Sequence, residues 1–297
     1  MKVISKLFPI VFITALSYHL LMVLHGVNLE TYAIHTISPI TGHAWWRAFQ
    51  NRLLAGFIVD NISNNIVLAY QIFIFFSLLA MNFLTYYLYK DILPVIALAF
   101  MFLGLQGARF LYGWDFLDLI ILTTLLILID KKVNIWGYMI LFAVAIFNRE
   151  SALFIPAWLI IDHFKRKEMW YGFIMLISGY VIINLLRDMF VTSIYPSIGL
   201  DESHRDIGNS ILFAKNIQYF FRHYDSWNMG DFAYIPALMI SSVLLCWNAN
   251  KKILLLTGFI ILQILIFGCI HETRVWFITI PFIIYLFIRK ETYKNKC

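Results

Sequence analysis

Three consecutive polar residues, Asn148, Arg149 and Glu150, interrupt a long apolar stretch of the chain. A guanidinium and a carboxylate are costly in hydrocarbon unless they are paired or face a polar cavity, so charges within a membrane commonly mark a functional site. Arginine presents a planar fork of donors that suits phosphate and carboxylate, and a carboxylate can act as a general base. This triplet is therefore a candidate for anion binding and for proton transfer.

Other polar interruptions of the apolar chain carry further acids and arginines. Glu30 follows the first apolar run, Arg47 and Arg52 precede the second, and Glu272 and Arg274 lie near the C-terminus. Mutual ion pairing is one explanation, because charges near a membrane usually have partners. Binding of an anionic lipid headgroup, for instance a polyprenyl phosphate, is the alternative, and the preference for arginine at these positions favours it.

Composition identifies the chain as a membrane protein. Hydrophobic residues make up 61% of the 297 residues and charged residues 13%, with a mean hydropathy of +0.78, whereas a soluble domain carries about 25% charged residues. No A-x-A cleavage site follows the N-terminal run, so we expect it to be an uncleaved span. We predict an all-α, polytopic membrane bundle that forms one domain over residues 1–297, with about ten spans at residues 4–26, 65–89, 92–106, 116–130, 134–147, 151–164, 169–192, 232–248, 253–270 and 275–289.

Basic residues orient these predicted spans. With this span count, one side of the membrane receives every lysine except Lys215. The positive-inside rule makes that side cytoplasmic, so the prediction is a multi-pass protein of the cell membrane (inner or plasma membrane) with both termini in the cytoplasm. The outer side receives Lys215 and eight arginines, which are residues 47, 52, 109, 149, 187, 205, 222 and 274.

The polar triplet at 148–150 is the turn on which this span count depends. One helix over 134–164 would be about 46 Å long and would put the basic residues at 131–132 and 165–167 on opposite sides of the membrane. A hairpin with arms 134–147 and 151–164 avoids this, and its apex would lie at the outer boundary. We expect Asn148 to cap the returning helix and Glu150 to lie in its first turn, where a negative charge suits the helix dipole.

Two outer loops, 27–64 and 193–231, are each predicted to carry a helix that lies in the membrane interface. Their segments "HAWWRAFQNRLLAGFIVDNI" and "NSILFAKNIQYFFRHY" place apolar residues at helical spacing. Asp201, Glu202, His204 and Asp206 in the second loop could bind a divalent cation such as Mg²⁺ or Mn²⁺ through oxygen ligands. A solvated polar loop is the alternative. A divalent cation is therefore the one cofactor that we consider possible, and no residue is assigned as a metal ligand.

Several common sites are absent from the sequence. The chain contains no Walker A motif, no G-x-G-x-x-G and no H-E-x-x-H, no G-x-S-x-G, and no C-x-x-C spacing among its three cysteines. The cytoplasmic lysines are orientation signals, so we expect no nucleic-acid partner. Asp115 is one of the outer acids available to arginine, and Arg187 is predicted to pair with Asp188 at the outer end of its span.

Four short motifs together resemble the GT-C glycosyltransferases, multi-spanning enzymes that use polyprenyl-phosphate sugars. They are "LETY" with Glu30 and Tyr32, "AFQNRLL" with Arg52, "NRES" at the hairpin apex, and "ETRVWFITIP" near the end of the chain. The resemblance covers most of the chain and is closest to bacterial members that lack a soluble domain. One departure is that Glu30 has Thr31 and Tyr32 beside it rather than a second acid.

The resemblance implies a fold, a reaction and roles for residues. It implies a GT-C-like fold and transfer of a sugar from a polyprenyl-phosphate donor to a glycan, lipid or protein acceptor at the outer face of the membrane. The general base would be Glu30 first and Glu150 second. The phosphate and substrate would be bound by Arg52, Arg149 and Arg274, with Arg47, Asn148 and Glu272.

Two other functions stay open at this point. A transporter or flippase for a lipid-linked saccharide would also need polar groups within the membrane, although transporters place them near the midplane of repeated halves, and no repeat is visible in this chain. A non-catalytic membrane subunit of a polysaccharide-assembly system is the second alternative. The expected partners are a polyprenyl-phosphate-linked sugar, its acceptor and membrane lipids.

Overall fold

The computed structural model confirms the all-α prediction over the residues that it describes, which are 4–41, 52–105, 111–189, 213–214, 216–217, 234–247, 249–267 and 273–294; no strand occurs among them. The α-helices in chain order are α1 (Ile4–His25), α2 (Leu29–Ile37), α3 (Leu53–Asp60), α4 (Ile66–Tyr89), α5 (Leu93–Leu105), α6 (Gly113–Asp130), α7 (Ile135–Ala145), α8 (Phe154–Asp162), α9 (Met169–Met189), α10 (Tyr234–Leu245), α11 (Lys251–Phe267) and α12 (Ile280–Lys294). Short 3₁₀ segments precede three of them, at Gly26–Asn28, Glu150–Leu153 and Thr273–Thr279.

Within the residues that the structure describes, three helical runs are long and apolar enough to cross a membrane, judged by length and composition. They are Leu7–Ile37, Ile66–Tyr89 and Met169–Arg187, while Leu93–Leu105, Ile135–Ala145 and Val275–Arg289 are apolar but shorter. Large apolar side chains such as Phe12, Trp136 and Trp170 are exposed on these helices. An apolar helix surface of this kind suits contact with lipid, so the chain has the character of a membrane protein.

Helix α6 lies at the centre of the bundle. It packs most extensively against α4 and also contacts α2, α3, α7 and α12. Its side chains are buried on all faces, including Trp114, Phe116 and Leu122, as expected for a helix that is apolar all round. Two carboxylates, Asp115 and Asp118, are buried in its first two turns, so this apolar core must supply them with polar partners.

The structure places a helix in the part of loop 27–64 for which none was predicted. Helix α2 buries Leu29, Tyr32, Ala33 and Thr36, which follow each other at the spacing of one helix face. This face packs against α3 and α4. The loop prediction was wrong here because nine residues with mixed polarity give only a weak periodic signal.

Helix α3 agrees with the predicted amphipathic segment in this loop. It buries Leu53 and Val59 and exposes Phe57 and Ile58. It packs closely on α2, since a Cβ atom at Gly56 would lie only 3.0 Å from the backbone oxygen of Thr36. Residues 42–51, which carry the rest of the predicted segment, lie outside the described residues, as does most of loop 193–231.

The predicted hairpin is present, with α7 and α8 as its two arms. Basic residues gather at the end of the bundle that lies opposite to the apex of this hairpin. Lys90 and Lys131 both lie over the ring of Tyr87. At the same end, an ion pair between Lys252 and Asp162 joins α11 to α8, and one between Arg289 and Asp130 joins α12 to α6. The segregation of charge along the bundle thus follows the sequence prediction.

Candidate functional site

Six ionisable side chains among the described residues meet around the apex of the hairpin, and we call them the tip cluster. They come from the start of α3, the first two turns of α6, the hairpin apex and the last turn of α9. Carboxylates and guanidiniums are equal in number, so the formal charges of the cluster cancel. Its members are Arg52, Asp115, Asp118, Arg149, Glu150 and Arg187.

One part of the cluster, Arg149 with the two aspartates of α6, is enclosed by protein. The Nη1 atom of Arg149 lies 3.0 Å from Oδ1 of Asp115 and 3.1 Å from Oδ2 of Asp118. Residues three apart on a helix share a face, so the single guanidinium reaches both carboxylates. The two aspartate side chains are only 2% and 1% exposed.

Asn148 and Ser151 complete the hydrogen bonds of this enclosed part. The Asn148 amide donates to Oδ1 of Asp118 at 2.8 Å and to the backbone oxygen of Trp114 at 3.0 Å. The hydroxyl of Ser151 donates to the same Asp118 oxygen at 2.6 Å. We call Asp115, Asp118, Asn148, Arg149 and Ser151 the sealed half.

The predicted capping role of Asn148 was wrong. Arg149, not Asn148, precedes the 3₁₀ turn Glu150–Leu153, and no side chain caps that turn. A bond from the Asn148 amide to a buried carboxylate is charge-assisted and therefore stronger than a bond to a backbone group. Glu150 lies in the first turn of this 3₁₀ segment, ahead of α8, and not in the first turn of the returning α-helix as predicted.

The remaining three members, Arg52, Glu150 and Arg187, form the open half. Arg187 donates from Nη2 to Oε1 of Glu150 in a close ion pair, and Nη2 of Arg52 lies 3.9 Å from Oε2 of the same carboxylate. The two arginine side chains are 7% exposed but Glu150 is 26% exposed. The guanidinium of Arg52 also lies 5.0 Å from the centre of the Trp114 ring, which favours a cation there.

Arg149 and Glu150, the two ionisable residues at the hairpin apex, are held in the charged state. Burial on its own would raise the pKa of Glu150, but Arg52, Arg187 and Arg149 together hold that pKa below its usual range. Burial likewise acts to lower the pKa of Arg149, and the charges of Asp118 and Asp115 more than offset it, so the pKa is raised. Glu150 is therefore an ionised carboxylate with little tendency to accept a proton at neutral pH.

Backbone and side-chain bonds fix the elements that carry these residues. The Leu54 N–H donates to the Phe147 carbonyl at 2.9 Å, which ties the start of α3, and with it Arg52, to the hairpin apex. The start of α6 is fixed by bonds from the Gly113 N–H to Thr36 Oγ1 and from the Tyr70 hydroxyl to the Leu111 carbonyl. The cluster therefore sits where four elements are joined.

The structure brings four of the predicted site residues together, namely Arg52, Asn148, Arg149 and Glu150. Glu30 lies apart from them, on α2, where it is exposed and makes no ion pair or hydrogen bond with the described residues. Arg47 and Glu272 lie outside the described residues. The backbone of Arg274 is part of the 3₁₀ segment Thr273–Thr279, but its side chain is not among those that the structure describes.

Sequence reasoning missed Asp118, Ser151 and Arg187 as members of the site. Asp115 and Asp118 are two acids in the first two turns of an apolar helix, and this pattern could have signalled a buried basic partner. Arg187 pairs with Glu150; its predicted pair with Asp188 stays a prediction, because the side chain of Asp188 is not among those described. Among the residues that are described, no three His, Cys, Asp or Glu side chains form a group that could hold a metal ion, and positions 201–206 lie outside them.

No model of a known protein family, no curated protein and no solved structure matches this chain. What the site can do therefore follows from the chemistry of its residues. The sealed half has two acids for one arginine, and its acids are almost wholly buried. The open half has two arginines for one partly exposed acid, which is an arrangement suited to an anion with several oxygens, such as a phosphate.

Proposed function

We propose that this protein is a membrane glycosyltransferase that moves a sugar from a polyprenyl-phosphate donor to a glycan, lipid or protein acceptor. One observation carries the proposal: Arg52 and Arg187 converge on a single, partly exposed carboxylate at the end of the bundle opposite to the lysines. In this proposal the bundle has a GT-C-like fold with about ten spans, the lysine end faces the cytoplasm, and the open half binds the donor phosphate at the outer boundary.

The chemistry of the reaction explains why arginines would be needed. The acceptor oxygen forms a bond to the anomeric carbon while the bond from that carbon to the phosphate oxygen breaks. The electron pair leaves with the polyprenyl phosphate, which gains negative charge. Fixed guanidiniums at Arg52 and Arg187 stabilise this charge where it develops and so lower the barrier. Attack in line with the leaving group inverts the configuration of the sugar.

Glu30 is the residue that we propose as general base. It is exposed on α2, and the buried face of this helix, which Glu30 does not share, packs against α3, the helix that begins beside Arg52. Glu150 suits the role less well, because two arginines hold its carboxylate and lower its pKa. The proton of the acceptor hydroxyl would therefore pass to the carboxylate of Glu30.

The position of the charges supports an enzyme over a transporter. Transporters bind their substrates near the membrane midplane, on interrupted helices. The tip cluster instead lies at one end of α6, α9 and the hairpin. A site at this end can receive a lipid headgroup without passing it through the bundle.

A turnover assay tests the proposed function. The purified protein in lipid vesicles is supplied with a panel of polyprenyl-phosphate sugars, and release of polyprenyl phosphate is measured. We expect Glu30→Gln to reduce turnover by about 10²- to 10⁴-fold, the usual contribution of a general base. Asp60→Asn, which changes an exposed carboxylate at the end of α3, is the matched control and should retain activity.

Two results would contradict different parts of this proposal. If the wild-type protein neither binds nor consumes any donor in the panel, the glycosyltransferase function is wrong. If donors are consumed and Glu30→Gln is as active as Asp60→Asn, only the assignment of the base is wrong.

A further inference from the structure

The open half contains one more arginine than carboxylate, and its single carboxylate belongs to the protein. Glu150 thus occupies the position between two guanidiniums that an external anion would need. Two buried guanidiniums that lost the carboxylate between them would be destabilised by charge repulsion and lost hydration. A residue that fills the position until the ligand arrives would remove this cost.

We propose that Glu150 holds the phosphate position in the unliganded protein, and that a lipid phosphate binds by displacing the Glu150 side chain from Arg52 and Arg187. This proposal rests on the proposed function, because it describes how that site takes up its phosphate. It adds a role for Glu150 that is neither catalytic nor purely structural.

The local structure allows this side chain to leave while its neighbours stay in place. Asn148, Arg149 and Ser151 are all held to α6 by hydrogen bonds in the sealed half. Glu150 lies between them and makes its contacts in the other direction. Rotation about its side-chain bonds therefore releases both arginines without breaking any bond of the sealed half.

The two contacts of Glu150 are unequal, which favours exchange. Arg187 forms a hydrogen bond to Oε1, whereas Arg52 is 3.9 Å from Oε2, beyond the reach of a direct hydrogen bond. The carboxylate is also the most exposed group of the open half. An anion can therefore approach from the Glu150 side and meet the guanidinium of Arg52 before the ion pair with Arg187 is broken.

Charge gives the exchange a preference among phosphates. The donor phosphate is a diester with one negative charge, equal to that of Glu150. The polyprenyl phosphate left after sugar transfer is a monoester, with a charge of about −1.5 to −2 at neutral pH. Competition from Glu150 would thus weaken binding of the diester more than binding of the monoester. The site would therefore bind the phosphate more tightly as its negative charge grows during sugar transfer.

A binding experiment tests the displacement. The affinity of purified protein in neutral detergent micelles is measured for a polyprenyl phosphate, the uncharged polyprenol and inorganic phosphate. Glu150→Gln keeps the shape of the side chain but removes the competing charge. We expect it to tighten binding of polyprenyl phosphate by about tenfold, the scale of one charge-assisted hydrogen bond. The control variant Asp60→Asn removes an exposed charge at the end of α3 and should leave the affinity unchanged.

A double variant shows whether the gain depends on the arginine pair. Arg187→Gln should weaken binding of polyprenyl phosphate, and Glu150→Gln should no longer tighten it when Arg187 is also replaced. Weaker or unchanged binding in Glu150→Gln would overturn the proposal, since Glu150 would then serve only to position the arginines. An equal gain for inorganic phosphate would overturn the assignment to a lipid.

The outcomes separate this inference from the proposed function. If polyprenyl phosphate binds to the wild type and Glu150→Gln makes no difference, the displacement is wrong and the glycosyltransferase proposal is untouched. If polyprenyl phosphate binds to neither protein, both proposals fail. Should Glu150→Gln not fold, Glu150→Asp provides the same test, because the shortened carboxylate is withdrawn from both arginines and should also give tighter binding.

Discussion

The two halves of the tip cluster use the same kinds of side chain to opposite effect. In the sealed half, Asp115 and Asp118 surround one arginine, and both aspartate side chains are almost wholly buried. In the open half, Arg52 and Arg187 surround one glutamate, which is 26% exposed. The ratio of acids to arginines and the access of solvent, rather than the residue types, separate a structural ion pair from a candidate binding site.

The division between the halves begins in the backbone of a single residue. Arg149 has φ −173° and ψ −179°, which is an extended conformation, and side chains of consecutive residues in extended backbone point in opposite directions. Arg149 therefore turns towards α6, while Glu150 turns towards α3 and α9. Adjacent residues of one polar triplet thus belong to different ion-pair systems.

The largest difference between the halves should appear in stability. Arg149→Gln removes the cation that Asp115 and Asp118 share, and we expect it to cost about 3–5 kcal/mol, the usual effect of breaking a buried ion pair. Arg187→Gln is the matched change in the open half. It should cost only about 1 kcal/mol, because the partly exposed carboxylate of Glu150 can be hydrated and Arg52 stays beside it. Thermal unfolding in detergent micelles measures both.

A double variant identifies the cause of that loss. Adding Asp118→Asn to Arg149→Gln should recover part of the stability, because one of the two carboxylates that shared this cation becomes neutral. Equal losses for Arg149→Gln and Arg187→Gln would remove the distinction between a sealed and an open half.

A smaller effect is expected from Asn148, which contributes hydrogen bonds to the sealed half without a charge of its own. Asn148→Ala removes donors to Asp118 and to the Trp114 carbonyl, and it should destabilise the protein by about 1–3 kcal/mol. Asn184→Ala is the control, because the Asn184 amide bonds only within its own helix, to the Tyr180 carbonyl. An unfolding temperature of Asn148→Ala equal to that of the control would show that the sealed half does not depend on this amide.

The smallest effect concerns the pH dependence of the open half. The folded-state pKa of Glu150 is lowered, so its ion pairs contribute stability above the unfolded pKa of about 4.3, and this contribution is lost as the pH falls through the lower, folded value. We therefore expect the difference in unfolding temperature between wild type and Glu150→Gln to stay constant from pH 7 to pH 5 and to shrink only in more acidic solution. A difference that already shrinks above pH 5 would show a raised pKa and contradict the paired carboxylate.

Much of the architecture could be predicted from the sequence, because it depends on local patterns. Apolar runs of helical length predicted the all-α bundle, and the positions of the lysines predicted a hairpin with its apex at 148–150. Helix α2 was missed because its buried face becomes apparent only where α3 and α4 cover it. Its signal was too short to distinguish it from a loop.

The candidate site was predicted in part. Arg52, Arg149 and Glu150 were expected in one phosphate-binding or catalytic set. The structure joins them in one cluster, but Arg149 pairs with the aspartates of α6 and not with the open half. The expected cap was less accurate, since Asn148 bonds to a neighbouring helix, and the ion pair of Arg187 with Glu150 was not predicted. A charge near a membrane requires a partner, but sequence proximity does not identify it.

The sequence by itself determined the helical membrane character and the turn of the chain at 148–150, because these follow from apolar run length and from the cost of charge in hydrocarbon. Only the tertiary structure decided which carboxylate each guanidinium meets. Arg149 finds Asp115 34 residues away, and Arg187 finds Glu150 37 residues away. The physical reason is that an ion pair forms between helices that are neighbours in space, and helix packing, not chain order, sets those neighbours.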